Sequence, residues 1–375
     1  MASCQKKPQT SPPFEPAAEQ VVSPALRKVS TLWTFRRIIM GVEAKVIVAC
    51  ENEAAATDHA AAAFTRLGEL DAMFSDYRRD SELNQLCAAP SGVPHRVSAD
   101  LFRVVELAQL VSQRSSGAFD ISCGPLTSLW RTVRKSGLLA SDNELADARA
   151  RTGWRKIVLD RESQTITLAQ PRMQLDLGGI AKGYAAADAV RVLVERGAPS
   201  CLVALAGDIA VGDPPPHPPT NLSTNTSAGS PPSEPGWRIA PGPDSGMAHA
   251  AGVLLLANAS VSTSGDSQQF VEIAGQRYAH IVDPQTGLGA SRVRAATVVV
   301  PHDSRGRALC GATADAIATA FSLVNDTHAA SLISAAPIAP AAASIRDLAN
   351  KITPVLQVGD ARLFRLDPPA NPPPP

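Results

Sequence analysis

The chain has 375 residues, with 35 lysines and arginines against 35 aspartates and glutamates. That length holds one large domain or two modest ones, and a zero formal net charge with no basic stripe gives nucleic-acid binding no footing. Six cysteines, at positions 4, 50, 87, 123, 201 and 310, form no close pair and no C-x-x-C, which argues against a zinc site or redox pair and for reduced thiols.

Residues 1–30 are rich in Pro, Ser, Gln and Lys and read as a disordered tail. They contain no signal-peptide apolar run, and no later run is long enough to span a bilayer. Cys4 follows Ala2-Ser3 but lacks the apolar stretch that a lipoprotein cleavage box needs. A cytoplasmic protein without a membrane anchor is the expectation, with an organelle left open. Order is expected from about Leu32. Trp33-Thr-Phe-Arg-Arg-Ile-Ile-Met40 and Ala44-Lys-Val-Ile-Val-Ala-Cys50 read as two strands or one bent strand, with Met40-Gly41 at the bend. Met40 is either core packing or a lid on a flat ring.

Thr57 or Asp58 can cap a helix running to about Phe74, with Phe64, Leu67, Leu70 and Phe74 on one face. A polar loop, Phe74 to Asn84, follows, in which Tyr77 is a surface residue or a stacking platform. Ser98 caps a second helix whose buried face is Leu101, Val104, Val105, Ala108 and Val111. Gly117-Ala-Phe-Asp-Ile-Ser-Cys-Gly-Pro125 is a loop of the kind that lines a pocket or merely joins helices. Lys156–Leu159 and Thr165–Leu168 alternate with period two and predict a hairpin.

The run Met173-Gln-Leu-Asp-Leu breaks at Gly178-Gly179 and passes into a helix ending near Gly197. Paired glycines at a helix entrance let backbone approach a ligand, and exposed N–H groups there suit an anion. Lys182 in the first turn opposes the helix dipole, so it is either a solvated lysine or the partner of something anionic. Cys201–Leu205 predicts a buried strand ending at Ala206-Gly-Asp208. Residues 213–235 are Pro/Ser/Thr/Asn-rich and read as a disordered insertion. Val253–Leu256 is expected as a strand, Val261–Asp266 as a polar turn, Phe270–Ile273 with Arg277–Val282 as a hairpin, and Ala296–Val300 as a strand. A last helix is placed from about Thr313, before a proline-rich tail at 367–375.

Asp315 and Thr319 stand four apart on that helix, which puts both oxygens on one face. Such a pair suits a hard cation, while the alternative is an acidic residue favouring the helix N-terminus. His280 and Asp283 end a strand; the imidazole could serve as a general base or be structural. No G-x-S-x-G, Walker-type loop or G-x-G-x-x-G stands in a suitable context. The residues by themselves describe a mixed domain with features of a metal-assisted phosphate site.

The order of motifs resembles the ApbE family of flavin transferases. The pieces are Met40-Gly41, Phe74-Ser-Asp-Tyr77 with Ser81-Glu-Leu-Asn84, Gly117-Ala-Phe-Asp120 with Gly124-Pro-Leu126 and Trp130, and Asp176-Leu-Gly-Gly-Ile-Ala-Lys-Gly-Tyr184. They continue through Ala206-Gly-Asp208, Thr263-Ser-Gly-Asp266, His280-Ile-Val-Asp-Pro-Gln-Thr-Gly287 and Asp315-Ala-Ile-Ala-Thr319. The resemblance implies an α+β fold: one large T-fold-like domain over 31–366, mainly antiparallel sheets with packed helices. It implies Mg²⁺ as cofactor and FAD as substrate, with FMN passed through a phosphoester to a Ser or Thr of an acceptor protein carrying a Ser/Thr-Gly-Ala-Thr-like motif. FAD hydrolysis to FMN and AMP, and FAD binding without turnover, are the alternatives. Met40, Tyr77, Ala118, Phe119, Asp120, Lys182, Thr263, His280 and Asp283 would contact the flavin nucleotide. Gly179, Asp315 and Thr319 would hold the metal, and His280, Asp315 and Lys182 would be catalytic. Three positions depart from the family pattern: Val42 for threonine, Ala206 for glycine, and Ser267 for an aromatic residue. Cys310-Gly-Ala-Thr313 is similar to the acceptor motif itself, which raises self-modification as an idea.

Overall fold

The computed structural model describes residues 30–216, 235–240, 253–265, 270–291, 295–302 and 306–323, with the backbone of strands at 352–358 and 361–366. A hairpin of β1 (Thr31–Ile39) and β2 (Val42–Cys50) comes first. Helix α1 (Glu53–Phe74), the short α2 (Glu82–Ala88), β3 (His95–Arg96) and α3 (Ala99–Arg114) follow. Helices α4 (Gly124–Ser136) and α5 (Asp142–Ala150) lead to the hairpin β4 (Ile157–Asp160) and β5 (Thr165–Leu168). After α6 (Ala181–Glu195) come β6 (Cys201–Leu205), β7 (Asp208–Val211), β8 (Trp237–Ile239) and β9 (Leu254–Leu256). Next are β10 (Ala259–Ser264), β11 (Phe270–Ile273), β12 (Gln276–Ala279) and β13 (Ala296–Pro301), then α7 (Arg307–Leu323), β14 (Ile352–Val358) and β15 (Ala361–Leu366).

The described strands build an eight-stranded sheet ordered β1-β2-β6-β7-β10-β13-β15-β14. Its pairs are antiparallel except β13 with β15. One face of the sheet buries Ala44, Val46 and Val48 with Phe64, Leu67 and Leu70 of α1 and the alanine-rich side of α6. Further along, Ala296, Val298 and Val300 pack against Ala314, Ile317 and Phe321 of α7. The opposite face takes Trp237, Ile239, Leu254 and Leu256 of the β8–β9 hairpin against Leu202, Ala204, Val211 and Val261. The fold is α+β and mainly antiparallel, with helices packed on the sheet.

Several boundaries differ from the sequence reading. Helix α1 is capped by Asn52, whose side chain accepts from the Ala55 N–H at 2.9 Å, rather than by Thr57 or Asp58. The alanines at 54–56 carry strong helix propensity but no amphipathic signal, so the periodicity starts later than the helix. Ser81 caps α2 within the stretch read as a polar loop, accepting from the Asn84 N–H at 3.1 Å. Helix α7 begins at Arg307, six residues before Thr313, and carries Gly311 in its interior. Asp315 therefore stands in mid-helix, and the alternative of an acidic N-terminus does not apply. The expected polar turn at 261–266 is strand β10 as far as Ser264. Its hydroxyls pair sideways: Ser260 with His302 at 2.9 Å, Ser262 with Asp208 at 2.6 Å, and Thr263 with Thr297 at 2.9 Å. Those bonds let a polar strand sit inside the sheet. Met173–Leu177 joins no sheet among the described residues. Most of the Pro/Ser-rich stretch, Asp266, Ser267 and the two expected tails lie outside the described residues.

Candidate functional site

A cleft of about 1030 Å³ opens where the β1–β2 turn, the loop after α1, the start of α4, the entrance of α6, the end of β10 and the face of α7 meet. Met40 and Gly41 form its first wall with φ of 54° and 73°, the two-residue turn that a hairpin prefers. The left-handed backbone at Met40 comes from the turn and aims this residue into the cleft wall.

The floor depends on two glycine contacts. A Cβ on Gly183 would lie 2.2 Å from the Gly311 carbonyl oxygen, and one on Gly311 would lie 2.0 Å from the Gly183 oxygen. Only two glycines let the start of α6 cross α7 this closely. The crossing places the Gly183 N–H 3.1 Å from Asp315 Oδ2. At Gly179 a Cβ would stand 3.0 Å from Thr319 Oγ1 and 3.3 Å from Phe119 Cε2, so backbone, hydroxyl and carboxylate converge there. Thr319 Oγ1 also meets Ser264 Oγ at 3.1 Å.

Lys182 reaches over this floor. Its Nζ donates to the Gly178 carbonyl at 2.6 Å and lies 3.5 Å from Asp208 Oδ2 and 4.0 Å from Asp315 Oδ2. Burial works against its charge, but Asp315 and then Asp208 outweigh that and hold the ammonium above its usual range. Burial raises the Asp315 carboxyl, Asp208 adds to the rise, and Lys182 with the Gly183 N–H opposes it. Two buried carboxylates facing one cation leave a surplus of negative charge and hard oxygen donors.

Of the residues expected at the site, Met40, Tyr77, Ala118, Phe119, Asp120, Gly179, Lys182, Thr263, His280, Asp315 and Thr319 line this cleft. Asp283 does not. Its Oδ1 accepts from the Gln285 N–H at 2.8 Å, and its backbone bonds Gly287 and Leu288, so it shapes the turn beyond His280. Asp120 lines the cleft but its carboxylate is engaged. Oδ1 accepts from the Ser122 N–H at 2.8 Å and its hydroxyl at 2.6 Å, and Oδ2 accepts from the Trp154 N–H at 2.9 Å. It shapes the loop that presents Ala118 and Phe119. Thr313, the end of the acceptor-like Cys-Gly-Ala-Thr run, is 1% exposed inside α7 and donates to the Leu309 carbonyl at 2.7 Å. No modifying group can reach that hydroxyl in this fold.

His280 is exposed at the cleft edge on a strap that is bonded to itself through Ala279 and Ile281 to Ala290 and a Val282–Gly289 bridge. The strap is pinned to α4 by the Trp130 indole N–H, which donates to the Ala279 carbonyl at 3.1 Å. Gly289 packs flat on the same ring, where a Cβ would fall 2.3 Å from Trp130 Cζ2. The sequence reading did not single out Asp208 as the partner of Lys182. It also missed a cluster at the far wall, where Arg131 bridges Asp76 and Asp176 at 2.6 Å and 3.3 Å. Both aspartates fall inside recognised motifs, so the signal was present without a role attached.

No helix among the described residues is long and apolar enough to cross a membrane, and no disulfide joins the described cysteines. A family model described as the ApbE family matches residues 40–342. An FAD:protein FMN transferase of Treponema pallidum is 31% identical over 293 residues, covering 76% of each chain. One from Escherichia coli K12 is 26% identical over 289 residues, covering 76% of this chain and 74% of that one. Among solved structures, the apo flavinyl transferase ApbE of Pseudomonas stutzeri is 26% identical with a TM-score of 0.62, covering 81% of this chain and 88% of that one. The flavin transferase ApbE of Vibrio cholerae shares the fold at 23% identity and a TM-score of 0.64, covering 82% of this chain and 91% of that one. With the family model spanning most of its length and its motifs meeting around one cleft, the chain belongs to the ApbE family.

Proposed function

We propose that this chain is an FAD:protein FMN transferase, moving FMN from FAD to a Ser or Thr hydroxyl of an acceptor protein and releasing AMP. The observation that carries the reading is the floor of the cleft, where Lys182 stands beside Asp208 and Asp315 with Thr319 and Gly179 adjoining. The neighbours that match along most of the chain carry the same activity in their names. Lys182 offers a cation to the pyrophosphate of FAD. His280 takes the proton of the acceptor hydroxyl on its imidazole. The hydroxyl oxygen then bonds to the FMN-side phosphorus, and the bond from that phosphorus to the AMP oxygen breaks.

Gly179, Asp315 and Thr319 fit a hard divalent cation. Their donors are a carbonyl, a carboxylate and a hydroxyl, and the Gly179 position where a Cβ would crowd Thr319 keeps that cradle open. When bound there, Mg²⁺ would neutralise charge developing on the phosphates. The scattered cysteine spacing, with no close pair and no C-x-x-C, supports a reducing, cytoplasmic setting. The acceptor we expect bears a Ser/Thr-Gly-Ala-Thr-like motif.

The test is to incubate the purified protein with FAD and an acceptor peptide carrying that motif, with Mg²⁺ or with EDTA, and to follow AMP and in-gel flavin fluorescence. Metal-dependent AMP release with a fluorescent acceptor is expected, and Asp315→Ala should abolish both. AMP with free FMN and an unlabelled acceptor would replace transfer by hydrolysis. FAD bound but uncleaved under any metal would overturn the enzymatic reading.

A further inference from the structure

We infer that Arg131 is a positioning residue that fixes the Tyr77 ring as a platform for one planar heterocycle of the dinucleotide. The inference rests on FAD being the substrate. Tyr77 lines the cleft yet is 76% exposed, in the loop that follows α1. A tyrosine with that exposure would ordinarily sample several rotamers. Here one face is covered, because the Arg131 guanidinium carbon stands 4.4 Å from the ring centroid. The guanidinium is fixed in turn by Asp76 at 2.6 Å and Asp176 at 3.3 Å. Three elements thus meet at one side chain: the Tyr77 loop, helix α4, and the segment entering the Gly178-Gly179 turn.

The backbone under Tyr77 is already secured without Arg131. Asn84 Nδ2 donates to the carbonyls of Ser75, Asp76 and Arg78 at 3.4, 3.1 and 2.7 Å. Ser75 Oγ accepts from the N–H groups of Tyr77 and Arg78, each at 3.3 Å. What remains for Arg131 to set is the ring itself. Asp176 carries the arrangement to the phosphate end, since its Oδ1 accepts from the Gly178 N–H at 2.8 Å and Gly178 in turn bonds Lys182. The ring platform and the pyrophosphate floor are therefore held in one register. A dinucleotide needs that register, whereas pyrophosphate alone does not.

The test compares Arg131→Ala, Tyr77→Ala and the double variant in AMP release with FAD varied. Each single change should raise KM about five- to tenfold with kcat within about twofold, and the double variant should be no worse than Tyr77→Ala alone. Arg131→Lys should recover part of the loss, keeping a cation over the ring but not both carboxylate bonds. In competition, ADP or FMN should weaken, one and not the other, identifying which heterocycle uses the platform, while inorganic pyrophosphate binds as before. Losses that multiply in the double variant, an unchanged KM, or equal weakening of ADP, FMN and pyrophosphate would overturn the inference. Flavin fluorescence quenching reads FAD binding independently of turnover. A wild type that binds FAD without releasing AMP counts against the transferase reading, whereas equal binding by wild type and Arg131→Ala counts against the platform.

Discussion

Gly311→Ala tests the crossing of α6 and α7 on which the cleft floor depends. The new methyl would stand 2.0 Å from the Gly183 carbonyl oxygen and 2.6 Å from Ala187 Cβ. Neither neighbour is the end of a flexible side chain, so the helices themselves must move. Reaching an ordinary contact near 3.4 Å requires them to part by about 1.4 Å. Overpacking of this kind costs ~1–3 kcal/mol, and backbone against methyl puts this site at the upper end. The same movement stretches the 3.1 Å bond from the Gly183 N–H to Asp315 past hydrogen-bond range. A misplacement of about 1 Å at a reacting centre can cost ~100-fold in rate. Urea unfolding followed by circular dichroism measures the first effect, and metal-dependent AMP release at saturating FAD measures the second. Gly68→Ala is the control with opposite sign. Gly68 lies inside α1 with nothing within 4 Å of its would-be Cβ, so alanine there should add ~0.5–1 kcal/mol. A Gly311→Ala protein with wild-type midpoint and wild-type rate would refute the argument.

His280→Ala should slow acceptor labelling at least ~10-fold more than FAD cleavage, because water is a poorer probe of the base than a bound hydroxyl; equal losses in paired assays would remove it as the base. Ala206→Gly should raise the unfolding free energy measured in urea by about 0.5 kcal/mol, because Ala206 adopts φ 54° in the β6–β7 turn, where glycine carries no Cβ penalty. His302 is held neutral by burial and by Arg307, with its pKa down at about 3, against an ordinary value of 6.5. The unfolded chain then binds the extra proton between those values, so stability should fall as pH drops from 6.5 towards 3, by at most ~1.4 kcal/mol per unit. His302→Gln should flatten that slope in pH-dependent melting, and an unchanged slope would remove the ring as its source.

The lining of the candidate cleft was largely legible because its residues come as compact motifs around glycines, and glycine reports close approach of backbone. Gly179, Lys182, Asp315 and Thr319 could be named together for that reason. What stayed hidden was lateral chemistry. Nothing in Ser260-Val-Ser-Thr263 announces a buried strand, because its hydroxyls are satisfied by His302, Asp208 and Thr297 far along the chain. Asp283 shows the opposite failing, since a carboxylate next to a cleft-lining histidine reads as functional until its turn bonds are known. Asp120, expected to contact the nucleotide, lines the cleft, but its three internal hydrogen bonds are invisible in the sequence. The early start of α7 was masked by Gly311, which reads as a helix breaker and serves here as the crossing point.

Trp130 and Arg131 are consecutive on α4 and, at about 100° per residue, project in different directions from its axis. One pins the strap that carries His280, and the other sits over Tyr77. Helix α4 is therefore a common anchor: a displacement of it would disturb the His280 strap and the Tyr77 wall together, and through Arg131 and Asp176 would reach the Gly178 turn and Lys182 as well.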